Sequence, residues 1–434
     1  MAISIVSGVL LARFRTPSQA SLELDRKLAQ LRKDGVPLTG PDLAKLLPDP
    51  APAQDARLIL QPAFDWKPGP ANPKILPLIS TNELPRRTDR ISAVTMKELP
   101  IYLTNSDALI STFPKDSAGI RFSMKWTNGI EMSERMPTPE LRQLTMRLAL
   151  ISVYEAELQN SGRAANSLCA GFTLARIVND DDLVSTMIRV AVEGVMCRAT
   201  EQVLSRCPLS NPELYGIHQR IDPAFTGNFT NAFMTERVVA VEHFDKYRSG
   251  KAGKRNRLHL RMSASEWLDW FRGERKPLYR DEDYLFYLSH LEDRQRMIKL
   301  PPLEILRWTD RLTEQYRTMT FSEAADGAYI TMQKVFRMAI EGRARMECTR
   351  TALAIERYRL AHQGNLPESL KQMVPDYLAE APLDPMDNQP LRFKRLERGY
   401  VVYSIGADGV DDGGKERLDG NATNQYDVTF TVER

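Results

Sequence analysis

Tyr403-Ser-Ile-Gly-Ala-Asp-Gly-Val-Asp-Asp-Gly-Gly414 sets three carboxylates and four glycines into one short run, directly after a strand-like segment. Glycines accept positive φ, so such a run can fold back and aim several oxygens at one hard cation. Between Ile405 and Asp427 the acids Asp408, Asp411, Asp412, Glu416, Asp419 and Asp427 are set against only Lys415 and Arg417. Crowded carboxylates repel unless a cation or solvent screens them. Calcium suits this case, because it accepts about six to eight oxygens in flexible geometry, backbone carbonyls included. The spacing is not that of an EF-hand: with Asp408 at loop position 1, Asp412 falls at 5 and Gly413 at 6, but Val410 stands at 3. The plain alternative is a solvated Asp/Gly turn that holds no metal.

The sequence around this loop reads as a long helix followed by a small antiparallel sheet. Ser322–Ala361 carries a helical pattern, and Gly364, Pro367, Pro375, Pro382, Pro385 and Pro390 then punctuate a compact turn region. Three strands are expected at Leu391–Leu396, Tyr400–Ile405 and Tyr426–Val432, with Gly399 in the turn between the first two. In the last, Val428, Phe430 and Val432 alternate with Asp427, Thr429 and Thr431, the period of a sheet with one buried face.

Short elements recur here in a telling order. Leu353-Ala-Ile-Glu-Arg-Tyr-Arg-Leu360 is followed by Gly364-Asn-Leu-Pro-Glu-Ser-Leu370, then by Ala381-Pro-Leu-Asp-Pro385 and Pro390-Leu-Arg-Phe393. Tyr403-Ser-Ile-Gly-Ala-Asp-Gly409 and Tyr426-Asp-Val428 close the series. This part, about residues 345–427, resembles the C-terminal domain of the type II secretion major pseudopilins. The resemblance implies a calcium ion held near the last loop by Asp408, Asp411 or Asp412, and Asp427, with a backbone carbonyl near Ile405. Two departures stand out: the usual Asp-Pro-Trp-Gly is Asp384-Pro-Met-Asp387 here, and the stretch from Gly414 to Asp427 is longer. Gly171-Phe-Thr-Leu174 imitates the family's cleavage site, but it continues into Arg176 and Asn179-Asp-Asp-Asp182 with no apolar span. It reads as ordinary helix, so a pseudopilin-like C-terminal fold is expected here without requiring the protein to enter a pilus.

Upstream, Thr138-Pro139-Glu140 offers a hydroxyl cap, a first-turn proline and an acid at the positive end of a helix. Leu141, Leu144, Leu148, Ile151, Tyr154 and Leu158 then line one helical face, which Gly162 is expected to end before a second helix at Ala164–Val178. The pair Ala149–Ile177 faintly resembles a tetratricopeptide-type hairpin, without a repeating period. Further helices are expected at Leu183–Leu204, Ala264–Phe271 and Asp283–Leu291. Near the start, Leu22–Leu31 and Thr39–Leu47 read as short helices and Pro48–Pro85 as irregular chain. Ile120–Met132 suggests a hairpin turning at Thr127-Asn-Gly129.

A chain of 434 residues needs more than one core. The expected organisation is α+β, with an irregular region at 1–135, a helical domain at 136–342 and the helix-plus-sheet module at 343–434. Net charge of +3 gives no general attraction to nucleic acid, and the basic stretch Lys246–Arg261 reads as a solvated loop. Ile3–Ala12 is apolar but shorter than the roughly twenty residues that cross a bilayer. It is either an ordinary first element or the end of a membrane anchor. Cys169, Cys197, Cys207 and Cys348 form no CxxC pair and read as buried small hydrophobes; the first three are close enough in sequence for one disulfide in an oxidising compartment.

No nucleotide-binding P-loop, GxGxxG, GxSxG or HExxH occurs, and His290-Leu-Glu292 lacks the downstream cysteines of a deaminase. The expectation is therefore a non-enzymatic protein of the cell envelope or periplasm, with a calcium-stabilised module that contacts protein partners. The alternatives are a hydrolase-type enzyme with its site in the helical domain, and a metal-free helical scaffold; the alternative location is the cytoplasm.

Overall fold

The computed structural model describes residues 18–79, 83–126, 136–179, 181–222, 229–248, 281–317, 323–416 and 426–434. The apolar run Ile3–Ala12, the Thr127-Asn-Gly129 turn, most of the basic stretch after Lys246, the helix expected at Ala264–Phe271, and Asp419 lie outside them.

Within the described residues the chain is mostly helical with one three-stranded sheet at its end, an α+β protein. Short helices come first: α1 (Gln19–Lys33), α2 (Gly40–Leu46), α3 (Ala56–Ile59), α4 (Gln61–Asp65), α5 (Ala93–Tyr102) and α6 (Ser106–Ser111). Thr39 and Asp42 close a capping box on α2. The described part of the expected hairpin is not a strand pair. Arg121 makes a single parallel bridge to Asp55, and the Asp49 carboxylate accepts from Ser123 Oγ and from the amides of Met124 and Lys125.

The middle is α7 (Thr138–Glu157), α8 (Ser161–Ile177), α9 (Leu183–Arg206), α10 (Asn211–His218), α11 (Thr230–Arg248), α12 (Asp281–Met297) and α13 (Pro302–Arg317). Helix α7 buries Leu141, Leu144, Leu148 and Ile151 as its spacing requires, and leaves Leu158 exposed past its end. It ends at Glu157, with Gln159 at φ +62, so Gly162 belongs to the first turn of α8 instead of terminating α7. Thr138 does not cap α7 either; its hydroxyl donates to the Met136 carbonyl. Gly171 lies inside α8 against Met196 of α9, so the cleavage-site mimic is indeed buried helix. All four cysteines are free. Among the described residues no helix is long and apolar enough to cross a membrane.

The chain ends with α14 (Glu323–Ala361), a turn region, and strands β1 (Arg392–Leu396), β2 (Gly399–Ser404) and β3 (Val428–Glu433) in the antiparallel order β1-β2-β3. Gly399 sits at φ +142 where β2 passes β3; an added Cβ would come within 1.8 Å of the Val432 carbonyl. One core joins α7, α8, α9, the second half of α14 and the inner face of the sheet through Tyr400, Val402, Phe430 and Val432. A second, around Phe229, Phe233 and Phe336, reaches the far end of the sheet at Met386, Ile405 and Val428. Helix α9 also seals the outer edge of β3. The Thr431 amide donates to Glu201 at 2.6 Å, and the Arg434 guanidinium to the Leu204 carbonyl. The sheet is thus bound to the helical middle through its backbone as well as its apolar face.

Candidate functional site

The turn at Asp384-Pro385 is closed by its own backbone. The Asp384 amide donates to Gln389 O at 2.7 Å and the Asn388 amide returns to Asp384 O at 2.9 Å. This geometry points the Asp384 side chain inward, where it is fully buried. Its carboxylate accepts from the Met386 amide (2.9 Å), Ser404 Oγ (2.7 Å), the Ile405 amide (3.0 Å) and Arg392 Nη1 (2.5 Å). Burial pushes its carboxyl above the ordinary range, opposed by the hydrogen bonds and by the Arg392 charge. Two segments that carry the sequence resemblance, the Asp-Pro turn and the Ser-Ile-Gly run, therefore meet at one side chain.

Arg392 opens β1, in register with Tyr403 on β2. Its three nitrogens reach three carboxylates, with Nη1 lying 3.3 Å from Asp387 Oδ1 in addition to its bond with Asp384. Nη1 is on Asp384, Nη2 lies 2.5 Å from Asp387 Oδ2, and Nε lies 3.7 Å from Asp411 Oδ2. Burial would raise the Asp387 carboxyl, but the Arg392 and Gln389 hydrogen bonds outweigh it and hold it below the usual carboxylate value. A guanidinium carries five N–H donors in a planar fork, which suits such a junction.

Asp427, just before β3, is buried and clasps the other end of the loop. Its Oδ2 accepts from the Gly414 amide at 2.7 Å and its Oδ1 from the Asp412 amide at 3.4 Å, while its own amide donates to Lys415 O at 3.0 Å. Burial raises its carboxyl and the neighbouring Asp411 charge adds to that, against the pull of the amides. Gly414 must pass beneath the Tyr403 ring with φ +81, and a Cβ there would crowd the ring at 3.2 Å. Beyond the loop, Glu416 pairs with Arg87 at 2.8 Å, and Arg87 also reaches Glu433 at 2.9 Å.

The residues expected to share an ion are distributed as follows. Asp427 clasps the Asp412 backbone amide, while the Asp411 carboxylate accepts from the Gly413 amide and faces Arg392. Asp408 is exposed and accepts from the Val410 amide at 3.1 Å. Ile405 is buried and enters through its amide, which serves Asp384. Asp412 Oδ2 is buried without a hydrogen-bond partner. Among the described residues no group of three or more His, Cys, Asp or Glu side chains is placed to hold a metal ion. Among the described residues the donor set, as arranged, does not fit a calcium centre, because most of the inward carboxylate oxygens already face protein donors. Asp384 and Arg392, the centre of the arrangement, were not among the expected site residues.

In the helical middle, several buried polar groups pair locally. Asp182 caps α9 through the Ser185 amide, Asn179 holds Asp181 at 2.6 Å, and Arg189 meets Glu193 at 3.1 Å. Arg350 Nε donates to His218 Nε2 at 3.2 Å, and burial with the nearby Arg350 and Arg357 charges brings that imidazole down to about 4. Compared with protein-family models, curated proteins and solved structures, the chain matches none.

Proposed function

We propose that this chain is a non-enzymatic cell-envelope protein whose C-terminal module, pseudopilin-like in its order of elements, makes protein–protein contacts. The observation that carries this reading is the joining of the resembling segments at Asp384, which accepts from both Ser404 and Ile405 at the end of β2. Motifs that recur in order along the chain also converge in space. The convergence presents the acidic loop outward, with Val410 55% exposed between Asp408 and Asp411 and with Leu383 exposed on the adjoining turn. An apolar tip flanked by charges is a feature of contact surfaces, where a small buried anchor is surrounded by a polar rim.

The test is photo-crosslinking in the source cell. A crosslinking residue at position 410 should give one discrete adduct in the envelope fraction, and the same residue at exposed Leu58 should not. Equal labelling from both positions, no adduct at all, or fractionation of the chain away from the envelope would each contradict the reading.

A further inference from the structure

We propose that Arg392 acts as the resident cation of the acidic loop, in the role that the resemblance assigns to calcium, so that the chain orders this loop by itself. The three carboxylates that its nitrogens meet come from two separate segments. Asp384 and Asp387 belong to the Asp-Pro turn, and Asp411 to the loop after β2. The guanidinium therefore joins the two pieces of backbone that a shared divalent ion would join.

Two further acids of the loop are served from within the chain. Asp427 takes the Gly414 and Asp412 amides, and Asp408 takes the Val410 amide. Asp412 Oδ2 is the loop's one buried carboxylate oxygen without a partner among the described residues. Calcium takes about six to eight oxygens, so a calcium ion entering here would have to displace Arg392 or break the Asp427 clasp. A basic side chain in place of a metal makes the fastening independent of free calcium, and guanidinium keeps its own charge throughout the ordinary pH range. This inference stands apart from the contact reading: a failure to find a partner would leave the measurements below unchanged.

Thermal unfolding of the full chain, in millimolar calcium chloride and in chelator, tests it with wild type, Arg392→Gln and Arg392→Lys. Wild type should melt at the same temperature in both solutions. Arg392→Gln should melt lower and be cut faster by protease between residues 406 and 416. Arg392→Lys should recover only part of the loss, because a point charge cannot serve three carboxylates at once. A calcium-dependent rise in the wild-type midpoint, or an Arg392→Gln protein that melts and resists protease like wild type, would overturn the proposal. Should Arg392→Gln fail to fold, Asp411→Asn at the exposed arm of the junction replaces it. It should speed cleavage of the loop, and unchanged cleavage would count against the proposal.

Discussion

Asp384→Ala removes the acceptor on which the module is built, and its cost can be worked from the contacts. Three neutral donors, the Met386 and Ile405 amides and the Ser404 hydroxyl, lose their partner in a fully buried place. An unsatisfied buried donor costs about 1–3 kcal/mol, and these costs overlap because relaxation at one relieves another. Breaking a buried ion pair costs about 3–5 kcal/mol. The Arg392 side chain, however, keeps 22% of its exposure and retains Asp387, so that part must be discounted. The sum expected is about 4 kcal/mol. Asp384→Asn keeps one oxygen but turns an amide toward the Ile405 N–H or Arg392, and should cost about 3 kcal/mol. Urea unfolding of the full chain, followed by fluorescence and far-ultraviolet dichroism at neutral pH, measures both. A loss below about 1 kcal/mol for Asp384→Ala would refute the reasoning, because that is the range of an ordinary exposed substitution.

Glu201 accepts from the Thr431 amide at the edge of the sheet, and burial pushes its carboxyl up to about 7 from an ordinary 4.5. The raised value means that the folded chain holds the proton more tightly. Its contribution is fully present below pH 4.5 and is lost as pH rises through 7, about 3 kcal/mol in all. Glu201→Gln should flatten that part of the stability–pH curve; parallel curves for the two proteins would contradict this. Gly399→Ala should leave little soluble protein or cost more than about 3 kcal/mol, because its Cβ would meet the Val432 carbonyl of the neighbouring strand; a variant as stable as wild type would be inconsistent with the register. Arg87→Ala should loosen Glu416 and Glu433 together, costing about 1 kcal/mol and raising amide exchange around residue 416. Unchanged exchange there would show that the ion pairs hold nothing.

The regular elements were legible wherever one physical pattern acted alone. The leucine steps of α7 need no partner to be read, and β3 starts and ends within two residues of expectation. Its second face is not open, because Asp427 and Thr431 are buried as well as Val428, Phe430 and Val432. Helices α10, α11 and α13 were not among the expected elements. Pro302 opens α13, where its missing N–H costs nothing. The candidate site was legible in its members but not in its wiring. Asp427 takes the Asp412 amide and Asp411 faces Arg392, yet the hub is Asp384, which meets Ser404 and Ile405 twenty and twenty-one residues away. That pairing depends on the register of β1 with β2, a tertiary property that local spacing does not encode. The available signal was Arg392 itself, one cation placed eight residues after Asp384 and opposite Tyr403.

The claim on which the account turns is that this tail carries its own fastening. Amide hydrogen exchange of the full chain, read at Asp412 and Gly414, addresses it most directly. Equal, strong protection with calcium and with chelator is the predicted result. Protection that appears only when calcium is added would mean that an ion, and not Asp427 and Arg392, holds the last loop in place.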